Sequence, residues 1–141
     1  MSLTVQELEQ LQQKGKCCKR EHPELDAHKL VVKHIRAKYP WAHIMMSPIV
    51  GMQIRKSDRI KHWGVMKAMG YEKGTPDMFI PVPRAEFHGL FIEMKSAKGT
   101  KPPEDGFQYR FNRDMIELGY CAVICYGEAE AIKYIDKYMG S

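Results

Sequence analysis

Lys73-Gly-Thr-Pro-Asp77-Met-Phe-Ile-Pro81, followed by His88-Gly-Leu-Phe-Ile-Glu93-Met-Lys95, is the stretch that decides the fold. Two β-rich runs, Asp77–Val82 and His88–Ser96, flank Pro83-Arg-Ala-Glu-Phe87, the pattern of an antiparallel hairpin. A turn centred on Ala85 sets Asp77 opposite Glu93. Directly opposed side chains have Cβ atoms roughly 5 Å apart, where two carboxylates repel and destabilise a sheet. Alternation along the second strand puts Glu93 and Lys95 on one face and Leu90, Ile92 and Met94 on the other. One face therefore gathers two acids and an amine.

Outward from the hairpin, the chain alternates helices and strands. Pro23 to about Lys38 reads as a helix with a seam of Leu25, His28, Val31 or Val32, Ile35 and Tyr39, stopped by Tyr39-Pro40. Ala42–Val50 reads as a strand, and Asp58 caps a helix running to Met69 and Gly70. Pro102-Pro103-Glu104 opens a helix through Leu118, and Gly119 ends it. Tyr120–Tyr126 is almost wholly apolar, the pattern of a buried central strand. Glu128–Met139 is a last amphipathic helix, with Ala131, Ile132, Ile135 and Met139 on one side. The strand bearing Glu93, the helix after it and the strand at 120–126 form a βαβ crossover, normally right-handed. The expected architecture is an α/β mixed sheet flanked by helices. Residues 1–20 read as a short N-terminal helix (Val5, Leu8, Leu11) and a basic segment, and residues 21–141 as one domain.

Composition narrows the function. The chain has 141 residues and a formal charge of +5, enough for one core and not for two. No apolar run approaches the roughly 20 residues that span a bilayer, so a membrane-spanning helix is not expected. The first residues show no signal-peptide pattern, and four cysteines are too few for a disulfide scaffold, so a cytoplasmic location is expected. Charge is uneven: residues 1–70 hold 13 Lys+Arg against 6 Asp+Glu, and residues 71–141 hold 9 against 11. A basic half beside an acid-bearing half suits a polyanion surface next to a carboxylate site.

Two carboxylates and an ammonium on one face make sense when a divalent cation sits between the acids. Oxygen donors of this kind suit Mg²⁺ or Mn²⁺, which keep waters and bind phosphate oxygens. Such an ion acidifies water and offsets charge at a phosphoryl centre. The plain alternative is a salt-bridged hairpin in which Lys95 only neutralises its neighbours. A Glu-x-Lys triplet alone is uninformative, because a charged chain of this length contains one by chance.

With Gly74-Thr-Pro-Asp77, Gly89-Leu-Phe-Ile-Glu93-Met-Lys95 and Gln108 on the following helix, the sequence resembles the PD-(D/E)XK nuclease superfamily. More narrowly it resembles the VRR-NUC domain family, over about Glu24 to Met139. The resemblance implies a restriction-endonuclease-like α/β fold and a metal-dependent DNA endonuclease, so a hydrolase of phosphodiesters. It implies that Asp77, Glu93 and the Met94 backbone carbonyl bind Mg²⁺ or Mn²⁺ and that Lys95 is catalytic. Gln108 matches a glutamine that orients the site, and Glu24 an acid acting on the metal through water. His28 stands where glutamine is common in the family, with a packed or solvated helix histidine as the alternative. Ser47-Pro-Ile-Val-Gly51 departs from the usual loop. The substrate implied is branched DNA, four-way (Holliday) junctions first, with paired cuts by a homodimer in DNA repair or phage DNA processing.

Arg55, Lys56, Arg59, Lys61, Lys67, Lys98 and Lys101 are candidate phosphate contacts, or simply a solvated face. Trp41 and Trp63 can stack on bases, but core or interface packing is the stronger expectation. Cys17, Cys18, His22 and His28 lack the usual spacing of a zinc site. The methionines read as core filler. Two other functions compete: a less selective flap, nicking or restriction-like nuclease, and a DNA-binding module without catalysis.

Overall fold

The computed structural model describes residues 22–48, 50 and 56–141. Its elements are α1 (Pro23–Lys38), β1 (Met45–Met46), α2 (Lys56–Ala68), β2 (Met78–Ile80), β3 (Leu90–Lys95), α3 (Phe107–Glu117), β4 (Cys121–Tyr126) and α4 (Gly127–Met139). The strands form one mixed sheet in the order β1-β2-β3-β4. β1 and β2 are antiparallel, β2 and β3 are antiparallel, and β3 and β4 are parallel through the α3 crossover.

The hairpin register is the expected one. Met78 faces Ile92, Phe79 faces Phe91 and Ile80 faces Leu90, so the next step of the ladder sets Asp77 beside Glu93. Its tip turns at Ala85, which adopts φ +48, between the bridged pair Arg84 and Phe87. The two strand faces then separate by alternation. Ile80, Leu90, Ile92 and Met94 are buried with Val31 and Ile35 of α1 and Ala131 and Ile135 of α4. Fully burying each such aliphatic side chain contributes roughly 1.5–3 kcal/mol. Phe79 and Phe91 stack at 4.3 Å, with Phe111 of α3 edge-on to Phe91 at 5.5 Å. The two acids project from this second face.

Several elements are shorter than expected. β2 ends at Ile80 because Pro81 and Pro83 bring no N–H to the ladder. β1 is two residues long, not the whole of Ala42–Val50. α3 starts at Phe107, since 104–106 turn back with Gly106 N–H donating to the Pro103 carbonyl at 2.9 Å. The α1 seam is Ala27, His28, Val31 and Ile35, with Leu25 only half-buried. Among the described strands β4 is at the edge of the sheet, not central. Its apolar run reflects packing against both α3 and α4, because burial of a strand's faces, not its neighbours in the ladder, sets its hydropathy. The 1–20 segment lies outside the described residues. No described helix is long and apolar enough to cross a membrane.

Candidate active site

Asp77 immediately precedes β2, just after Pro76, at a junction of three strands. Its carbonyl accepts the Ser47 N–H at 2.9 Å, and its Oδ2 accepts the Met94 N–H at 2.8 Å. The acid is thus clamped to β1 and β3 at once. In an extended strand the N–H and C=O of one residue leave on the same side, so the Met94 carbonyl also faces the Asp77 side.

Glu93 projects from β3 and is 5% exposed. Its Oε1 accepts the Lys95 Nζ at 3.0 Å and the Gln108 Nε2 from the first turn of α3. Burial pushes its carboxyl up to about 7, the Asp77 charge adds to this, and Lys95 opposes it. Burial likewise raises Asp77, against the Met94 N–H and the charges of His28 and Lys95. Glu24, exposed on the first turn of α1, adds to the rise at both acids.

The loop before Asp77 is held against α3. Gly74 has φ +94, and a Cβ there would come within 2.4 Å of the Phe107 carbonyl oxygen. Only glycine lets this loop lie on the start of the helix that carries Gln108. The cleft so formed is about 410 Å³ and is lined by Asp77, Glu93, Gln108, Tyr71, Trp63 and Phe107 among others.

The expected residues among those described have definite places. Asp77, Glu93, Lys95 and Gln108 converge, and Glu24 is close enough for its charge to act on both acids. His28 is buried, with Nδ1 unpartnered; burial lowers its pKa and Asp77 resists the change, the signature of a packed histidine beside the site. Lys61 and Lys98 are exposed, and Lys101 bonds Glu104 at 3.2 Å. Arg55 and the side chains of Lys56 and Arg59 lie outside the described residues, as do Cys17 and Cys18. Trp41 is exposed beneath Arg84, and Trp63 lines the cleft, so neither is a core residue. The methionines divide: Met78, Met94 and Met139 fill the core, whereas Met45, Met46 and Met69 are exposed. Sequence reasoning missed Tyr71, Lys73 and Phe107, though each is within a few positions of a motif residue.

Among the described residues, no three His, Cys, Asp or Glu side chains are grouped as a metal cage. The donor set is two carboxylates with a backbone carbonyl beside them, and this fits Mg²⁺, which keeps several waters. Both acids are raised by burial, and Glu93 further by the Asp77 charge, the electrostatic strain a divalent cation relieves.

Neither a protein-family model nor a curated protein matches the sequence. A solved VRR_NUC domain protein matches the fold with a TM-score of 0.66 at 23% identity, covering 86% of this chain and 91% of that one. The chain has the fold of a VRR-NUC domain. This agrees with the mixed α/β sheet flanked by helices expected from the sequence. Within the VRR-NUC fold, Asp77, Glu93 and Lys95 lie at one end of the two middle strands of the described sheet, with α1 reaching the same end from the opposite face.

Proposed function

We propose that the chain is a VRR-NUC family nuclease, a divalent-metal-dependent enzyme hydrolysing DNA phosphodiesters. The observation that carries this reading is the Asp77–Glu93 pair, half-buried and buried respectively, both raised by burial and Glu93 further by the Asp77 charge, with the Lys95 amine on Glu93. Asp77, Glu93 and the Met94 carbonyl would hold Mg²⁺ or Mn²⁺. When bound, such an ion supplies Lewis acidity, making water more acidic and offsetting phosphate charge.

The chain's own groups divide the remaining work. Lys95 stands beside the acids and carries positive charge to where negative charge grows on the phosphate. Gln108 is a positioning residue: its amide and the Lys95 amine both hold Oε1 of the Glu93 carboxylate, which fixes its orientation. Glu24 would act at longer range, through water, on the ion that the two acids hold. Lys61, Lys98 and Lys101, with Arg55, Lys56 and Arg59, supply phosphate contacts that position the strand without reading sequence.

Branched DNA, four-way junctions first, is the proposed substrate. One carboxylate pair makes one cut, so symmetric resolution of a junction requires two copies related by a two-fold axis. A panel of junctions, flaps, splayed arms, single strands and duplex, incubated with Mg²⁺ or Mn²⁺ and with EDTA, tests activity and substrate together. Metal-dependent cleavage of junctions, falling at least roughly 100-fold in Lys95→Ala, is expected. Equal cutting of every substrate points to the less selective nuclease. Tight binding with no cutting in any metal points to the non-catalytic module.

A further inference from the structure

The cleft of the two acids does not end at them. Trp63, Tyr71, Lys73 and Phe107 line both the 410 Å³ cleft and an adjoining cavity of about 860 Å³, which Lys67 and Glu72 also border. Three aromatic rings from three parts of the chain therefore share one wall with Asp77 and Glu93. Trp63 comes from α2, Tyr71 from the loop behind it, and Phe107 from the start of α3.

Aromatic side chains usually bury their faces, but two of these remain open and Tyr71 is only half-buried. Phe107 is 53% exposed and Trp63 is 36% exposed. Trp63 and Tyr71 are tilted, with centroids 5.6 Å apart, and so leave ring surface free. The Lys73 ammonium lies 4.7 Å from the Phe107 centroid, and the Arg110 guanidinium lies 5.9 Å from it. The cavity thus combines flat apolar faces with cations at its edge. That pairing complements a ligand that is planar and aromatic at one end and anionic at the other.

We propose that this cavity receives one unstacked nucleobase of the DNA strand whose phosphate lies at Asp77 and Glu93. The inference rests on the nuclease reading above and adds a requirement: the nucleotide beside the cut is out of the duplex stack. Flaps, splayed arms and single strands present such bases at the least cost, whereas a base paired in a duplex or in a junction arm must first be taken out of its stack. The aromatic wall then selects substrate through stacking, which tolerates any base.

The test uses the full chain carrying Trp41→Phe, which leaves Trp63 as the single tryptophan of two. In EDTA, so that no cleavage intervenes, its emission is titrated with a thymidine strand and with an abasic-sugar strand of equal length and charge. Quenching by the thymidine strand, with binding about ten-fold tighter than to the abasic strand, is expected. Trp63→Ala and Trp63→Phe, which leave no tryptophan in this chain, are followed by the anisotropy of the same strands carrying an end label: Trp63→Ala should remove most of that preference and Trp63→Phe should retain part of it, while the melting temperature of each variant reports any folding defect. Equal affinity for the two strands, or an undiminished preference in well-folded Trp63→Ala, overturns the base site. Cleavage is scored separately: base-dependent quenching in a protein that never cuts would keep the base site and remove the nuclease reading. Metal-dependent cutting without a base preference would do the reverse.

Discussion

Gly74 shows how one residue joins loop, helix and chemistry. Its φ of +94 is unfavourable for any side chain, and a Cβ would strike the Phe107 backbone. Gly74→Ala should therefore cost roughly 2 kcal/mol, read by urea denaturation, and should also lower activity by displacing Gln108. Asp77 behaves in the opposite way. Its carboxylate is raised by burial, while the Met94 N–H needs only an acceptor oxygen, which asparagine also offers. Asp77→Asn should match or exceed the parent's stability in EDTA, yet abolish cleavage. Millimolar Mn²⁺ should raise the parent's melting temperature and leave that of Asp77→Asn unchanged. At 100 times the dissociation constant the gain is about 2.7 kcal/mol. The acids and the lysine were legible as residue types in the sequence because alternation and a short turn put them on one face. Tyr71 and Phe107 were not, since nothing local says that their rings share a cleft.

Between elements, α1 and α4 are joined at a single carboxylate. Asp136 accepts hydrogen bonds from His34 at 2.9 Å and the Tyr39 hydroxyl at 2.8 Å, and pairs with Lys38 at 3.0 Å. Partial burial would raise its carboxyl, but these three partners outweigh that and hold it at about 2. A depressed carboxylate stabilises the fold above its unfolded value, near 4, and that stability fades as pH falls towards 2. Asp136→Asn should accordingly lose roughly 1–2 kcal/mol at pH 7. The difference from the parent should shrink between pH 4 and pH 2, as measured by urea melts across that range. The helices themselves followed from periodicity, but this clamp did not: it joins residues about one hundred positions apart. Element ends were also misread wherever proline or a turn, and not hydropathy, stopped the hydrogen-bond ladder.

Over the whole molecule, charge and symmetry govern how DNA is held. A chain with formal charge +5 and its excess in the first half should bind DNA with marked salt dependence. Raising salt from 50 to 200 mM should weaken binding by at least roughly 10-fold, equally for matched and scrambled sequences, in a filter-binding or anisotropy titration. The proposed paired cuts require two copies, so sedimentation at the concentration of the cleavage assay should give twice 16.3 kDa. A monomer that nicks one strand would argue for the less selective nuclease.

By itself the sequence determined the hairpin register, the βαβ crossover and the identity of the paired acids. These depend on short-range rules: alternation, turn chemistry, and the repulsion of opposed like charges. Tertiary structure alone decided that β4 is an edge strand among those described, that His28 is packed beside Asp77, and that Trp63, Tyr71 and Phe107 wall one cavity. Each of those is a contact between segments distant in the chain, and hydropathy reports only how deeply a residue is buried, not which neighbour buries it.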